Sequence, residues 1–372
     1  MELKRVIISG GGTGGHIFPA LAIAKEIKAR YPNCAILFVG AEGKMEMEKV
    51  PAAGFEIKGL PIVGFQRKLT PKNLLLPFKL LKSLSLAKKI IKEFKPEVAI
   101  GVGGYASGPT LKMAQRLGIP TVIQEQNSYP GKTNRLLAKN VKVVCTAYEG
   151  LESVFGKGKV VLTGNPVRKE LQEITISKEA AFENFKGLNP EKKTILVIGG
   201  SLGARTLNQC VMSSLDLLME KDVQLIWQCG KYYFEDMKSG LNEKYKTNVF
   251  LTDFIPQMDA AYKVADVVIS RAGALSISEL CLVGKATIFV PSPNVSDDHQ
   301  TKNALAISEK DAAILIPDAE AVKRAISDAI DILNNENWST DLGMKIRSLA
   351  KPNATADIVN TIEKTVEKSS LK

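Results

Sequence analysis

The sequence predicts an α/β protein made of two Rossmann-like domains with parallel sheets that face each other. Three observations predict it. Apolar strand-like runs alternate with helical stretches through the first half, and glycine-rich turns stand at the strand ends. The opening turn, Gly11-Gly12-Thr13-Gly14-Gly15, also has a counterpart in the second half, Gly199-Gly200-Ser201-Leu202-Gly203. At 372 residues the chain is too long for one ordinary core, so two domains of roughly 150 to 200 residues each are expected.

The first strand, Val6 to Ser9 led by Arg5, enters the loop Gly10-Gly11-Gly12-Thr13-Gly14-Gly15-His16, and a helical pattern of Leu21, Ala24, Ile27 and Lys28 leaves it. Glycines let the backbone approach a ligand closely, and the N–H groups of a helix's first turn attract an anion, so the loop reads as a site for a phosphorylated ligand. A tight turn that binds nothing is the alternative. Gly10-x-Gly12-x-x-Gly15 also satisfies the dinucleotide fingerprint, with Glu42 after the second strand (Ala35 to Val39) as the ribose acid. His16 is one of two histidines and stands where a side chain could reach a reacting hydroxyl; a plain helix-start residue is the other reading.

Further strands are expected near Val98, Val122, Val143 and Val161. Gly101-Val102-Gly103-Gly104-Tyr105-Ala106-Ser107-Gly108-Pro109 and Glu125-Gln126-Asn127-Ser128-Tyr129-Pro130-Gly131 follow two of them, at the carboxyl edge where open α/β sheets bind ligands. The strand Val160 to Thr163 ends in Gly164-Asn165-Pro166-Val167-Arg168, and a polar, strand-free stretch follows. The junction is placed there: domain one at 1–165, domain two at 166–352, and a polar helix at about 353–372 packing back on domain one.

In the second half, Thr194 to Ile198 leads into the repeated glycine loop, and Asp266 to Ser270 runs into Arg271-Ala272-Gly273-Ala274-Leu275-Ser276-Ile277-Ser278-Glu279. Gly273 and Ala274 allow close approach, Ser276 can cap, and Glu279 could accept both hydroxyls of a ribose; a dipole-favoured surface glutamate is the alternative. Strand Thr287 to Val290 precedes a polar loop, Pro291 to Asp298, and then His299-Gln300.

Composition narrows the classes. No apolar run approaches the ~20 residues that span a bilayer, and the N-terminus lacks a signal-peptide core, so a cytoplasmic protein is expected. Five scattered cysteines without a C-x-x-C pair suit reduced, buried thiols; with two distant histidines they make a metal site improbable. The net charge of +11 calls for an anionic partner. Nine basic residues against one acid between 67 and 95 hold most of the excess. There Leu74-Leu75-Leu76-Pro77-Phe78 enters a helix whose Leu80, Leu84, Ala87, Ile91 and Phe94 share one buried face. Leu74, Leu75, Leu76 and Phe78, flanked by Lys72, Lys79 and Lys82, suit an anionic membrane surface; a second core contact is the alternative.

The glycine loops, together with Glu125-Gln126-Asn127, Gly164 to Arg168, Asp253-Phe254-Ile255 and Arg271 to Glu279, resemble the MurG family in order and over nearly the whole chain. The resemblance implies a GT-B glycosyltransferase, with a cleft between its two domains, that is inverting, needs neither metal nor cofactor, and sits peripherally on the cytoplasmic face of the membrane. It implies transfer of N-acetylglucosamine from UDP-N-acetylglucosamine to undecaprenyl-linked lipid I, with other cell-wall enzymes as further partners and no nucleic acid. The C-terminal domain would hold the nucleotide and the N-terminal domain the acceptor. Carried over, Thr13, Gly14, Gly15 and Asn127 would meet the donor sugar and diphosphate, Arg168 and Ser201 the diphosphate, and Ile255 the uracil. Ala274, Leu275, Ser276, Ile277, Ser278 and Glu279 would hold diphosphate and ribose, Gln300 the sugar, and Tyr105 the acceptor. Leu202 departs from the family, which usually has Gln there.

The residues agree with this chemistry. No Asp-x-Asp pair occurs, so helix N-termini and a cation would stabilise departing UDP. An imidazole suits the base that takes the acceptor's proton: His16 first, then His299, with Glu125 third. A UDP-sugar epimerase of the same fold and a nicotinamide oxidoreductase are the rival enzymes. A nucleic-acid-binding protein would rest on charge alone.

Overall fold

The computed structural model describes residues 2–63, 76–200 and 202–371. The chain divides into two compact units: Met1–Val167 with Asn353–Lys372, and Arg168–Pro352.

Unit one is built on a seven-stranded, wholly parallel sheet: β1 (Arg5–Ser9), β2 (Ala35–Ala41), β3 (Glu56–Leu60), β4 (Val98–Gly101), β5 (Thr121–Glu125), β6 (Val143–Thr146) and β7 (Val160–Leu162), in the order β3-β2-β1-β4-β5-β6-β7. The central strands are covered on both faces, and for that reason read as unbroken apolar runs. Val6 and Ile8 belong to one core cluster, while Ile7 belongs to another on the opposite face. Because every pair is parallel, the loops after β1, β4, β5 and β7 leave from the same edge.

The helix Ala354–Ser370 returns to this unit, where Ile358, Val359, Ile362 and Val366 join the cluster of Val6, Ile23 and Ile27. Arg30 fixes its outer side, donating from Nη1 to Asn360 Oδ1 at 2.6 Å and pairing with Glu363 at 3.1 Å.

Unit two repeats the plan with β8 (Thr194–Ile198), β9 (Gln224–Gln228), β10 (Val249–Thr252), β11 (Val267–Ser270), β12 (Ala286–Phe289) and β13 (Ile314–Leu315). They form a parallel sheet in the order β10-β9-β8-β11-β12-β13. Its core holds Trp227, whose indole N–H donates to Asn208 Oδ1 at 3.0 Å, so the one polar atom of the ring is satisfied.

The helix Leu76–Phe94 differs from expectation. Its buried stripe runs through Ser83, Ala87, Ile90 and Ile91, while Leu84 and Phe94 are half-buried and Leu80 is 45% exposed. Leu80 stands seven residues before Ala87 and so points the same way, and its exposure shows that the stripe is not covered at the start of the helix among the described residues. Leu74, Leu75 and Lys72 lie outside the described residues. Among the described residues no helix is long and apolar enough to cross a membrane.

Candidate functional site

In unit one the loops after β1 and β4 are packed backbone to backbone. Gly11 and Gly12 take φ of +149° and +85°, and a Cβ on Gly104 (φ +86°) would stand 2.4 Å from Gly11 O. Only glycine fits such an approach. The Val102 N–H donates to Ser9 O at 2.9 Å, and Gln126 Nε2 donates to Val102 O at 2.8 Å, so the loops after β1, β4 and β5 form one stitched surface. Thr13 is the N-cap of the helix Gly14–Arg30, which has no acidic residue in its first turn. Thr13 and Gly15 are exposed, and Gly14 is half-buried.

His16 sits in the first turn of this helix, half-buried. Its Nδ1 lies 3.0 Å from Gly11 O and 3.3 Å from Thr13 Oγ1. A carbonyl oxygen only accepts, so Nδ1 carries the hydrogen and Nε2 is the ring's acceptor nitrogen. Gly103 lies against that end of the ring: a Cβ there would be 2.8 Å from Nε2. Tyr105, on the same loop, is 49% exposed.

Glu125 has a different task from the one expected of it. It is 1% exposed, and its oxygens accept from the Asn127 N–H at 3.0 Å, Asn127 Nδ2 at 3.3 Å, the Gly131 N–H at 3.1 Å and Asn134 Nδ2 at 2.8 Å. Three donors from its own loop and one from Asn134 on the helix Lys132–Leu137 saturate the carboxylate, making it the anchor of residues 126–134 rather than a proton acceptor for an incoming hydroxyl. Asn127 is half-buried and held by that anchor.

In unit two the helix Ala274–Val283 opens from β11 with Gly273 as N-cap and no acid in its first turn. Ser276 is therefore inside the helix and is not its cap. Ala274, Leu275 and Ser276 are half-buried on the first turn, whereas Ile277 is 2% exposed and its N–H donates to Gly273 O at 2.9 Å. Ile277 thus has neither side chain nor amide to offer a ligand, a correction to its expected role. Ser278 Oγ donates to Ala274 O at 3.0 Å. Arg271 is tied down: its Nη1 donates to Val290 O at 3.0 Å and pairs with Asp318, which also accepts from Thr206 Oγ1 at 2.9 Å.

Glu279 lies on the second turn, with Arg168 Nε 3.3 Å from Oε1 and the Tyr262 hydroxyl donating to Oε2 at 3.4 Å. Burial raises its pKa, while the charge and hydrogen bond of Arg168 and the hydrogen bond of Tyr262 pull the other way. Tyr262, itself fully buried, is pushed well above its ordinary value, first by burial and then by the Glu279 charge.

The repeated glycine loop follows β8. Gly203 (φ +81°) touches the next loop so closely that a Cβ would be 2.0 Å from Cys229 O. Gln228 Nε2 donates to Gly200 O at 2.9 Å and Asp253 O at 2.8 Å, joining this loop to the one carrying Ile255. Ile255 is buried and Phe254 is 56% exposed. Leu202 is 77% exposed, and Ser201 lies outside the described residues. Gln300 Oε1 accepts the Ser292 N–H at 2.8 Å, bracing the polar loop, and His299 starts the helix His299–Ser308. The structure thus brings His16, Thr13, Gly14 and Gly15 together in unit one, and Arg168 with Ala274 to Glu279 in unit two. Sequence reasoning missed Gln228, Tyr262, Asp318 and Glu46, each of which has a partner 17 or more residues away. Among the described residues no three His, Cys, Asp or Glu are grouped to hold a metal.

Two family models cover most of the chain: the glycosyltransferase family 28 N-terminal domain matches residues 6–146, and the C-terminal domain of the same family matches 194–362. A Parabacteroides distasonis protein named UDP-N-acetylglucosamine--N-acetylmuramyl-(pentapeptide) pyrophosphoryl-undecaprenol N-acetylglucosamine transferase is 54% identical, over 99% of this chain and 100% of its own length. A Flavobacterium psychrophilum protein of the same name is 55% identical over 99% of both. Among solved structures, Acinetobacter baumannii MurG is similar at 31% identity and a TM-score of 0.75, covering 97% of this chain and 99% of that one. A Neisseria meningitidis UDP-GlcNAc 2-epimerase shares the fold at a TM-score of 0.67 with 14% identity, over 97% of this chain and 100% of that one. With two parallel Rossmann-like units of the GT-B type and relatives more than half identical over their full length, the chain belongs to the MurG family of glycosyltransferases.

Proposed function

We propose that this protein moves N-acetylglucosamine from UDP-N-acetylglucosamine to the C4 hydroxyl of the N-acetylmuramoyl group of undecaprenyl-linked lipid I, forming lipid II. The observation that carries this reading is the 54% identity to a transferase of that name along both full chains. The acceptor O4 bonds to the sugar's anomeric carbon, the bond from that carbon to the UDP β-phosphate oxygen breaks, and inversion follows from attack opposite the leaving group. His16 Nε2 takes the O4 proton, the role for which the Nδ1–H to Gly11 O bond prepares it.

Unit two supplies the nucleotide groups. The first turn of the helix Ala274–Val283 and the Arg168 guanidinium stabilise the departing diphosphate, and Glu279 accepts the ribose hydroxyls. The loop at Ile255 meets uracil, Gln300 and Asn127 meet the sugar, and Tyr105 meets the acceptor. No Asp-x-Asp pair occurs in the sequence, so this charge stabilisation is assigned to the protein rather than to a divalent cation. Unit one docks peripherally on anionic membrane at the cytoplasmic face, through Leu76, Phe78 and their lysine neighbours.

The test is turnover of UDP-N-acetylglucosamine with a short-chain lipid I analogue, with and without chelator. Disaccharide product in EDTA at the uninhibited rate is expected. Loss of turnover that magnesium restores would sink the metal-free reading, and C2 epimerisation of the donor without acceptor would favour the epimerase instead.

A further inference from the structure

Glu46 opens the short helix Glu46–Ala52 after β2, yet its carboxylate is 1% exposed and points into the first glycine loop. Oε1 accepts the Ala41 N–H at 3.0 Å, at the end of its own strand, and Oε2 accepts the Gly12 N–H at 2.8 Å. The loop is shaped around it: a Cβ on Gly11 would stand 2.2 Å from its Cδ, and one on Gly40 2.6 Å from its Cγ. A carboxylate is costly to bury, and two backbone donors compensate it here.

The Gly12 N–H that Glu46 accepts and the Gly11 C=O that meets His16 Nδ1 belong to one peptide group. That peptide is the only covalent unit between the carboxylate and the imidazole. A negative charge on the N–H side polarises the amide and makes its oxygen a stronger acceptor, because hydrogen bonds in a chain reinforce one another. The stronger acceptor in turn holds the Nδ1–H tautomer, and Nε2 keeps its lone pair.

We propose that Glu46 is a positioning residue that acts through the Gly11–Gly12 peptide to fix the tautomer and orientation of His16. The assignment rests on the reading of His16 as the base. It places a carboxylate behind a histidine with a backbone amide between them, where catalytic histidines often have the carboxylate in direct contact. Glu46→Gln keeps the volume but must set an NH₂ group against one of the two backbone N–H donors, and it removes the charge.

Nitrogen-15 spectra of labelled histidine read the tautomer directly, because the chain has two histidines and His16→Ala assigns the resonances by their loss. Neutral His16 should be the Nδ1–H form in the wild type and should gain Nε2–H form in Glu46→Gln. The variant should lose roughly tenfold or more in kcat with KM for UDP-N-acetylglucosamine within about twofold. In a His16→Ala background the same change should cost less than about twofold further. Wild-type His16 in the Nε2–H form overturns the proposal, even if the variant does not fold. An unchanged tautomer in Glu46→Gln, or an equal loss in both backgrounds, overturns it as well. Full turnover by His16→Ala would instead remove the base assignment, and the tautomer spectra would still decide whether Glu46 sets the ring.

Discussion

Arg168 and Glu279 meet at 3.3 Å on the second turn of the helix Ala274–Val283, the Arg168 side chain half-exposed and the Glu279 side chain mostly buried. Arg168 therefore shields a carboxylate that burial would otherwise penalise, and the Tyr262 hydroxyl holds the other oxygen. Ribose hydroxyls donating to Glu279 would add to a site already oriented. Glu279→Ala should weaken UDP binding by about 1.5 to 3 kcal/mol, the range for hydrogen bonds to a charged group.

The raised Glu279 pKa gives this a pH dependence. As pH falls, the carboxyl takes its proton at a higher pH than an ordinary glutamate would, and loses acceptor capacity for the ribose. UDP affinity of the wild type should drop on acidification, while that of Glu279→Gln should be flat over the same interval. For stability the sign is opposite: the folded state holds this proton more tightly than the unfolded chain. The contribution is full below the ordinary glutamate value and is lost as pH rises through the raised one. Calorimetric titration of UDP against both forms checks it, and parallel pH curves would refute the assignment.

Strands such as β1 and β8 were legible because burial on both faces leaves an unbroken apolar run, whereas β9, equally buried, was missed because Gln224 and Gln228 leave it only three apolar residues. β3 was missed too, since it is an edge strand in which exposed Glu56 and half-buried Lys58 flank Ile57, and only Leu60 at its end is fully buried. The glycine loops announced themselves by composition, but what grips them did not. Gly12 finds Glu46 34 residues away and Gly203 finds Cys229, contacts that no local pattern encodes. Glu125 and Glu279 looked alike as candidate carboxylates, and only their donors tell them apart: four groups of residues 127–134 bind Glu125, whereas Glu279 meets Arg168 and Tyr262.

His16→Ala should lower turnover by roughly 10² to 10⁴, the usual effect of losing a general base, with little change in UDP affinity. The groups proposed to bind uracil, ribose and the departing diphosphate lie in unit two and His16 lies in unit one, so the two effects are separable by titration of UDP. A parallel loss of UDP affinity and rate would mean that His16 shapes a binding loop instead.

All five cysteines are buried, and burial pushes Cys34, Cys210 and Cys229 up to about 11 and Cys145 and Cys281 up to about 12. Reactivity needs the thiolate, so the native protein should resist a disulfide reagent near neutral pH, while denaturant should release five reactive thiols. One thiol titrating within seconds in the native protein would contradict this burial.

The helix Leu76–Phe94 presents Phe78 and Leu81 to solvent at 71% and 65% exposure, with Leu80 at 45% beside them. Lys79 and Lys82 interleave with these apolar side chains, and nine basic residues against one acid mark residues 67–95. An apolar cluster among cations suits an anionic bilayer surface: each lysine near the headgroups contributes about 1 kcal/mol, and burying a phenylalanine adds about 1.5 to 3 kcal/mol. Neither term suffices alone, because a single weak anchor leaves binding marginal. Phe78→Glu or Leu81→Glu should therefore reduce sedimentation with phosphatidylglycerol vesicles by roughly tenfold or more, while UDP binding, which the proposed function assigns to the other unit, should stay at the wild-type value. Vesicles of phosphatidylcholine alone should retain little of either form. Equal sedimentation of variant and wild type with the anionic vesicles would return these side chains to an ordinary solvent-exposed helix end.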